Sequence, residues 1–121
     1  GLAVLDVIAA ENLLARAQRI GARMLECLRE LQQAHPAVVG DVRGLGAMVA
    51  MELVRGGTAA QPDRELAQAL VQAASTRGLV VLSCGIHGNV IRLLPPLTIS
   101  DAELDEGLAL LAEALAAVVR A

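Results

Sequence analysis

Gly78-Leu79-Val80-Val81-Leu82-Ser83-Cys84-Gly85-Ile86-His87-Gly88-Asn89-Val90-Ile91-Arg92-Leu93-Leu94-Pro95-Pro96-Leu97-Thr98 is the stretch on which the fold turns. It reads as two short apolar strands joined by a small polar loop and closed by the proline pair. Strand side chains alternate between faces, so Arg92 shares a face with Val90 and Leu94 while Ile91 and Leu93 point the other way. A guanidinium inside an apolar strand is costly unless it meets an anion. Two readings stand at this point. Arg92 holds the carboxylate of a ligand, or it is a structural arginine with its stem packed and its head in water or paired with an acid of this chain.

Upstream, residues 2–34 carry Leu13, Ala17, Ile20, Met24, Cys27 or Leu28, and Leu31 at helical spacing. Arg16, Arg19, Arg23, Glu26 and Glu30 mark the opposite face, which reads as solvated with a few i,i+3 and i,i+4 pairs. Gly21 either weakens this helix or lets another backbone approach. His35 before Pro36 ends it, because the residue before proline is pushed out of the α region. Residues 38–43 and 47–54 read as strands. Glycine at both ends of Gly44-Leu45-Gly46 predicts a tight reversal with positive φ, hence an antiparallel hairpin. In the second of these strands Val49, Met51 and Leu53 take one face, and Met48, Ala50 and Glu52 the other. Residues 55–61 read as a loop, and Pro62 opens the next helix, whose stripe is Leu66, Leu70, Val71 and Ala74 and whose C-terminal cap is Gly78. Ser100-Asp101-Ala102-Glu103 has the pattern of a capping box, starting a last helix with Leu104, Leu108, Leu111 and Leu115 on one face. The order α-β-β-α-β-β-α predicts an α+β fold: a small, largely antiparallel sheet of about four strands packed with helices.

Composition narrows the chemistry. The chain has 121 residues, 55% of them hydrophobic, yet no Phe, Tyr or Trp. Its core must be built from Leu, Val, Ile, Ala and Met. A net charge of −3 and the lack of a basic stripe or stacking aromatic exclude nucleic acid as a partner. All ten basic residues are arginine. No Schiff base, phosphate-loop lysine or lysine general base can be made from such a chain. Cys27 and Cys84 form no metal-ligand spacing with His35 or His87, so no metal is expected. They read as free thiols of a reducing cytoplasm. The apolar start is too short to span a membrane and lacks the basic region of a signal peptide. It reads as a cut made inside a helix. The late run 107–119 is broken by Glu113 and is amphipathic.

Several segments, in order, resemble one family. They are Val39-Gly40-Asp41-Val42-Arg43-Gly44-Leu45-Gly46-Ala47-Met48-Val49-Ala50-Met51-Glu52-Leu53, then Gly78-Leu79, Leu82-Ser83-Cys84-Gly85, Gly88-Asn89-Val90-Ile91-Arg92 and Pro96-Leu97-Thr98-Ile99. Together they are similar to the C-terminal small domain of class III pyridoxal-phosphate aminotransferases, nearest the 4-aminobutyrate branch. The resemblance implies that residues 1–34 form a helix leading from a large domain and that residues 35–121 are the small domain of a fold type I aminotransferase. It implies amino transfer from 4-aminobutyrate to 2-oxoglutarate, with acetylornithine, ornithine or diaminobutyrate as alternative donors. It implies a homodimer, and pyridoxal 5′-phosphate held by the large domain.

The resemblance assigns Arg92 to the α-carboxylate of glutamate or 2-oxoglutarate, and to a large-domain glutamate when the donor lacks that carboxylate. Cys84, Gly85, Asn89 and Arg43 are further candidates for substrate contact. Arg43 has a plainer alternative, a hairpin-end arginine paired with Asp41 or Glu52. His87 departs from relatives, many of which carry tyrosine there. A Cys84–His87 hydrolase would need an orienting group and an oxyanion hole, which the sequence does not offer. Without lysine the chain alone is not a catalyst. Two rivals of other classes are a stand-alone carboxylate-binding or regulatory module and an assembly domain.

Overall fold

The computed structural model describes residues 2–120, with the side chains of the first helix described from residue 12 onward. The side chains of residues 2–8, the apolar start, therefore lie outside the described residues. The elements are α1 (Leu2–Ala34), β1 (Val39–Leu45), β2 (Met48–Arg55), β3 (Thr58–Pro62), α2 (Arg64–Thr76), β4 (Leu82–Cys84), β5 (Val90–Leu93) and α3 (Asp101–Arg120). The result is the expected α+β domain, three helices against a small antiparallel sheet.

The sheet runs β1-β2-β5-β4, with β3 paired to the C-terminal end of β2. Every pairing is antiparallel. Period-2 patterning sets its register. Met51 lies opposite Ile91, and Val49 opposite Leu93, on the inner face. Val49, Met51, Leu53 and Ile91 are buried there. They join Ile20, Met24 and Leu28 of α1, Leu70 and Ala74 of α2, and Leu108, Leu111 and Leu115 of α3 in a single core cluster. Full burial of each large aliphatic side chain contributes about 1.5–3 kcal/mol. Because one cluster receives all three helices, they cover one face of the sheet. On the other, Leu45, Leu82 and Leu94 are 79%, 58% and 66% exposed.

The caps follow the sequence. Ser100 Oγ accepts from the Glu103 N–H at 3.1 Å and Glu103 Oε1 accepts from the Ser100 N–H at 3.2 Å, the reciprocal pair of a capping box. Gly78, at φ +83, follows the last residues of α2 while the Leu79 N–H returns to the Ala74 carbonyl.

Four expectations need correction. Residues 58–62 are a strand, not part of a loop: Gly56 and Gly57, at φ +62 and +71, make a two-residue turn that folds β3 back on β2. Pro62 ends that strand, and α2 is instead opened by Asp63, whose Oδ1 accepts from the Leu66 N–H at 2.9 Å. The first hairpin turns on Gly46 and Ala47, and of the two glycines only Gly46 has positive φ, at +57. The charged face of α1 is not merely solvated. Arg16 Nη1 lies 2.8 Å from Asp101 and its other nitrogen donates to the Ile99 carbonyl, while Arg23 Nε lies 2.9 Å from Asp105. These arginines join α1 to the start of α3.

Gly21 shows why a glycine stands in a helix interior. A Cβ built there would collide with the Gly46 carbonyl oxygen, so the turn between β1 and β2 lies directly on the α1 backbone.

Candidate functional site

Residues opposite one another across antiparallel strands share a face. Arg43 lies opposite Ala50, Ala50 opposite Arg92, and Arg92 opposite Leu82, giving one row across four strands on the open face. The next row carries Glu52, Val90 and Cys84. Arg92 is exposed. The sequence poses the cost of a guanidinium in an apolar strand, and the fold answers it: alternation turns Arg92 away from the core. Its flanking residue on β2 is the small Ala50. Among the described residues, no carboxylate pairs with Arg92.

Arg43 is different. Its Nη1 lies 3.0 Å from Asp41 Oδ2 and 3.2 Å from Glu52 Oε2. The hydrogen bond to Asp41, helped by the one to Glu52, raises its pKa above the ordinary arginine value. Both carboxylates weighed as partners from the sequence are therefore engaged.

Asn89 is turned inward and only 3% exposed. Its side-chain amide donates to the Leu53 carbonyl at 2.9 Å, and its own carbonyl accepts from the Leu53 N–H at 2.8 Å. It closes the sheet where β5 begins. Gly85, at φ +90, makes the bend after β4, and a Cβ there would come within 2.9 Å of Val90 Cγ2. That close loop explains why Val90 is buried although it belongs to the open face. Cys84 is half-buried and His87 is exposed. No hydrogen bond joins these two among the described residues. Cys27 lies in the core, where burial pushes its thiol pKa up. No group of His, Cys, Asp and Glu among the described residues could hold a metal ion. None of the described helices is long and apolar enough to cross a membrane.

A cleft of about 460 Å³ opens beside β5, between the strand ends, the Pro95-Pro96 segment and α3. Its walls include Leu79, Val81, Leu104 and Leu108, and its charged lining residues are Arg92 and Glu103. Sequence patterning misses it, because segments far apart in the chain build it.

The model of the aminotransferase class-III family matches residues 1–115. The chain belongs to this family. As a class-III aminotransferase chain it is 54% identical over 112 residues to the 5-aminovalerate aminotransferase DavT of Pseudomonas aeruginosa, covering 93% of this chain and 26% of that protein. It is 49% identical over 114 residues to a 4-aminobutyrate aminotransferase of Mycobacterium leprae, covering 94% and 25%. To the 4-aminobutyrate aminotransferase GabT of Escherichia coli it is 44% identical over 112 residues, covering 93% and 26%. A solved Bacillus anthracis aminotransferase superposes with a TM-score of 0.80 at 34% identity, covering 96% of this chain and 27% of that one. The class-III chain thus spans about a quarter of the length of the curated relatives it matches.

Class III aminotransferases depend on pyridoxal phosphate. The residues of this class-III chain do not form a site for that group. It has no lysine to bond the cofactor aldehyde and no aromatic ring to stack on the pyridine.

Proposed function

We propose that the chain is the C-terminal small domain of an ω-amino acid aminotransferase, and that Arg92 binds the α-carboxylate of the 2-oxo acid acceptor, 2-oxoglutarate. The observation that carries this is an exposed arginine on the open sheet face with no carboxylate partner among the described residues. A guanidinium offers a planar fork that takes a carboxylate through two parallel charge-assisted hydrogen bonds. An acceptor with an α-carboxylate uses that fork. An ω-amino donor without one does not need it.

The donor in this reading is 4-aminobutyrate. The similarity to a 5-aminovalerate aminotransferase supports a second donor, longer by one methylene. One methylene changes binding in an apolar pocket by only about 1–3 kcal/mol, so one scaffold serves both. Acetylornithine, ornithine and diaminobutyrate are lower in this order. The cofactor is pyridoxal phosphate, held by a large domain outside this chain. The chain by itself is inactive, and the start of α1 leads towards that domain. The working enzyme is a cytoplasmic homodimer.

The test is Arg92→Ala in the full-length enzyme. Its KM for 2-oxoglutarate should rise at least about tenfold, the equivalent of 1.4 kcal/mol, with a much smaller change for 4-aminobutyrate. Equal effects on both substrates would overturn the assignment.

A further inference from the structure

The open sheet face holds two arginines and one glutamate whose placement has a consequence for binding. Arg43 and Arg92 flank Ala50 in one cross-strand row. Two strand spacings, about 10 Å, separate their backbones. Glu52 stands two residues along β2 from Ala50, on the same face, and lies opposite Val90. It is therefore a diagonal neighbour of Arg92 across the β2–β5 pairing. Diagonal neighbours sit about 7–8 Å apart, within reach of long side chains.

Glu52 goes to one of these cations only. Its carboxylate bonds Arg43 at 3.2 Å. Its side chain is 26% exposed, so it is partly withdrawn from water and favours a cationic partner. Asp41 shares the same Arg43 nitrogen, Nη1, at 3.0 Å. Arg43, Asp41 and Glu52 thus form one paired cluster, and Arg92 stands beside them with its charge uncommitted among the described residues.

We propose that Arg43 is a positioning residue: by holding Glu52 it keeps this carboxylate off Arg92 and leaves the Arg92 guanidinium open to the substrate carboxylate. This rests on the reading of Arg92 given above. Without Arg43, Glu52 loses its cation, and the next one on the same face is Arg92. An internal carboxylate there would compete with the carboxylate of the 2-oxo acid, while the ω-amino donor would be indifferent.

The experiment is a mutant cycle in the full-length enzyme, with KM and kcat measured for 2-oxoglutarate and for the donor. Arg43→Gln should raise the KM for 2-oxoglutarate about tenfold, the equivalent of 1.4 kcal/mol, with kcat and the donor KM little changed. Adding Glu52→Gln should return that KM to within about twofold of wild type, since the competitor is gone. Glu52→Gln alone should leave it at or below the wild-type value, and Arg43→Lys should keep most of the effect of arginine. A double variant as impaired as Arg43→Gln, or a raised KM in Glu52→Gln, would overturn the proposal and leave Arg43 a structural residue. An unchanged 2-oxoglutarate KM in Arg92→Gln would instead remove the reading of Arg92 on which the proposal rests. The rescue makes Glu52→Gln informative even if Arg43→Gln lowers stability.

Discussion

The two faces of the sheet use the same strands for opposite ends. On β2, Val49, Met51 and Leu53 enter the core at 1%, 0% and 0% exposure, beneath three helices. Their alternates, Met48, Ala50 and Glu52, stay part-exposed on the open face. Along β2 and β5 the inner face is apolar and packed by all three helices. The outer face mixes exposed leucines with Arg43, Glu52 and Arg92. The packed core lies on one side of a single strand and the charged groups on the other, so a shift of register by one residue would exchange the two.

That contrast can be broken most forcefully at Met51. Met51→Ala empties a fully buried site and should lower the stability of this chain by about 2–5 kcal/mol in urea unfolding. The same truncation at Leu82, on the outer face, should change it by no more than about 0.5 kcal/mol. Similar losses at both positions would refute the division. Gly21→Ala comes next. The added methyl has to displace the turn at Gly46, and overpacking of this kind costs about 1–3 kcal/mol. Ser100→Ala removes the cap from α3, one of the helices covering the inner face. It should cost about 1 kcal/mol, seen as a lower unfolding midpoint without loss of the fold. The smallest effect separates the two cysteines. A thiol reagent at pH 8 should modify Cys84 in the native chain, whereas Cys27, buried and with its pKa pushed up, should react only after denaturation. Peptide mass spectrometry after timed quenching would read out both rates, and equal rates would place Cys27 outside the core.

What could be read from the sequence was what side chains declare locally. The helix over residues 2–34, the capping box at Ser100, the alternation along β2 and the inward turn of Ile91 are all written in short-range patterns. β3 was hidden because Thr58-Ala59-Ala60-Gln61 has no alternation of its own. The Gly56-Gly57 turn and the backbone of β2 make it a strand, and the paired glycines were the one available signal. The arginines that join α1 to α3 look like a solvated face in the sequence because Asp101 and Asp105 lie more than eighty residues away. Within the candidate site, alternation put Arg92 on the face opposite Ile91 and Leu93 but left open whether its head met an anion or water. The inward turn of Asn89 did not, because its partner is a carbonyl on another strand. The cleft beside β5 was invisible for the same reason.

The contact between Gly21 and Gly46 has a mechanical meaning. Backbone lies on backbone there, with no side chain between them. Rotamers are the soft joints of a packed interface, and this junction lacks them. Helix and hairpin are accordingly in direct abutment: a shift of α1 towards the sheet meets the turn at Gly46 with no side chain to yield. Arg43 stands three residues before that turn, on the same hairpin that the helix abuts.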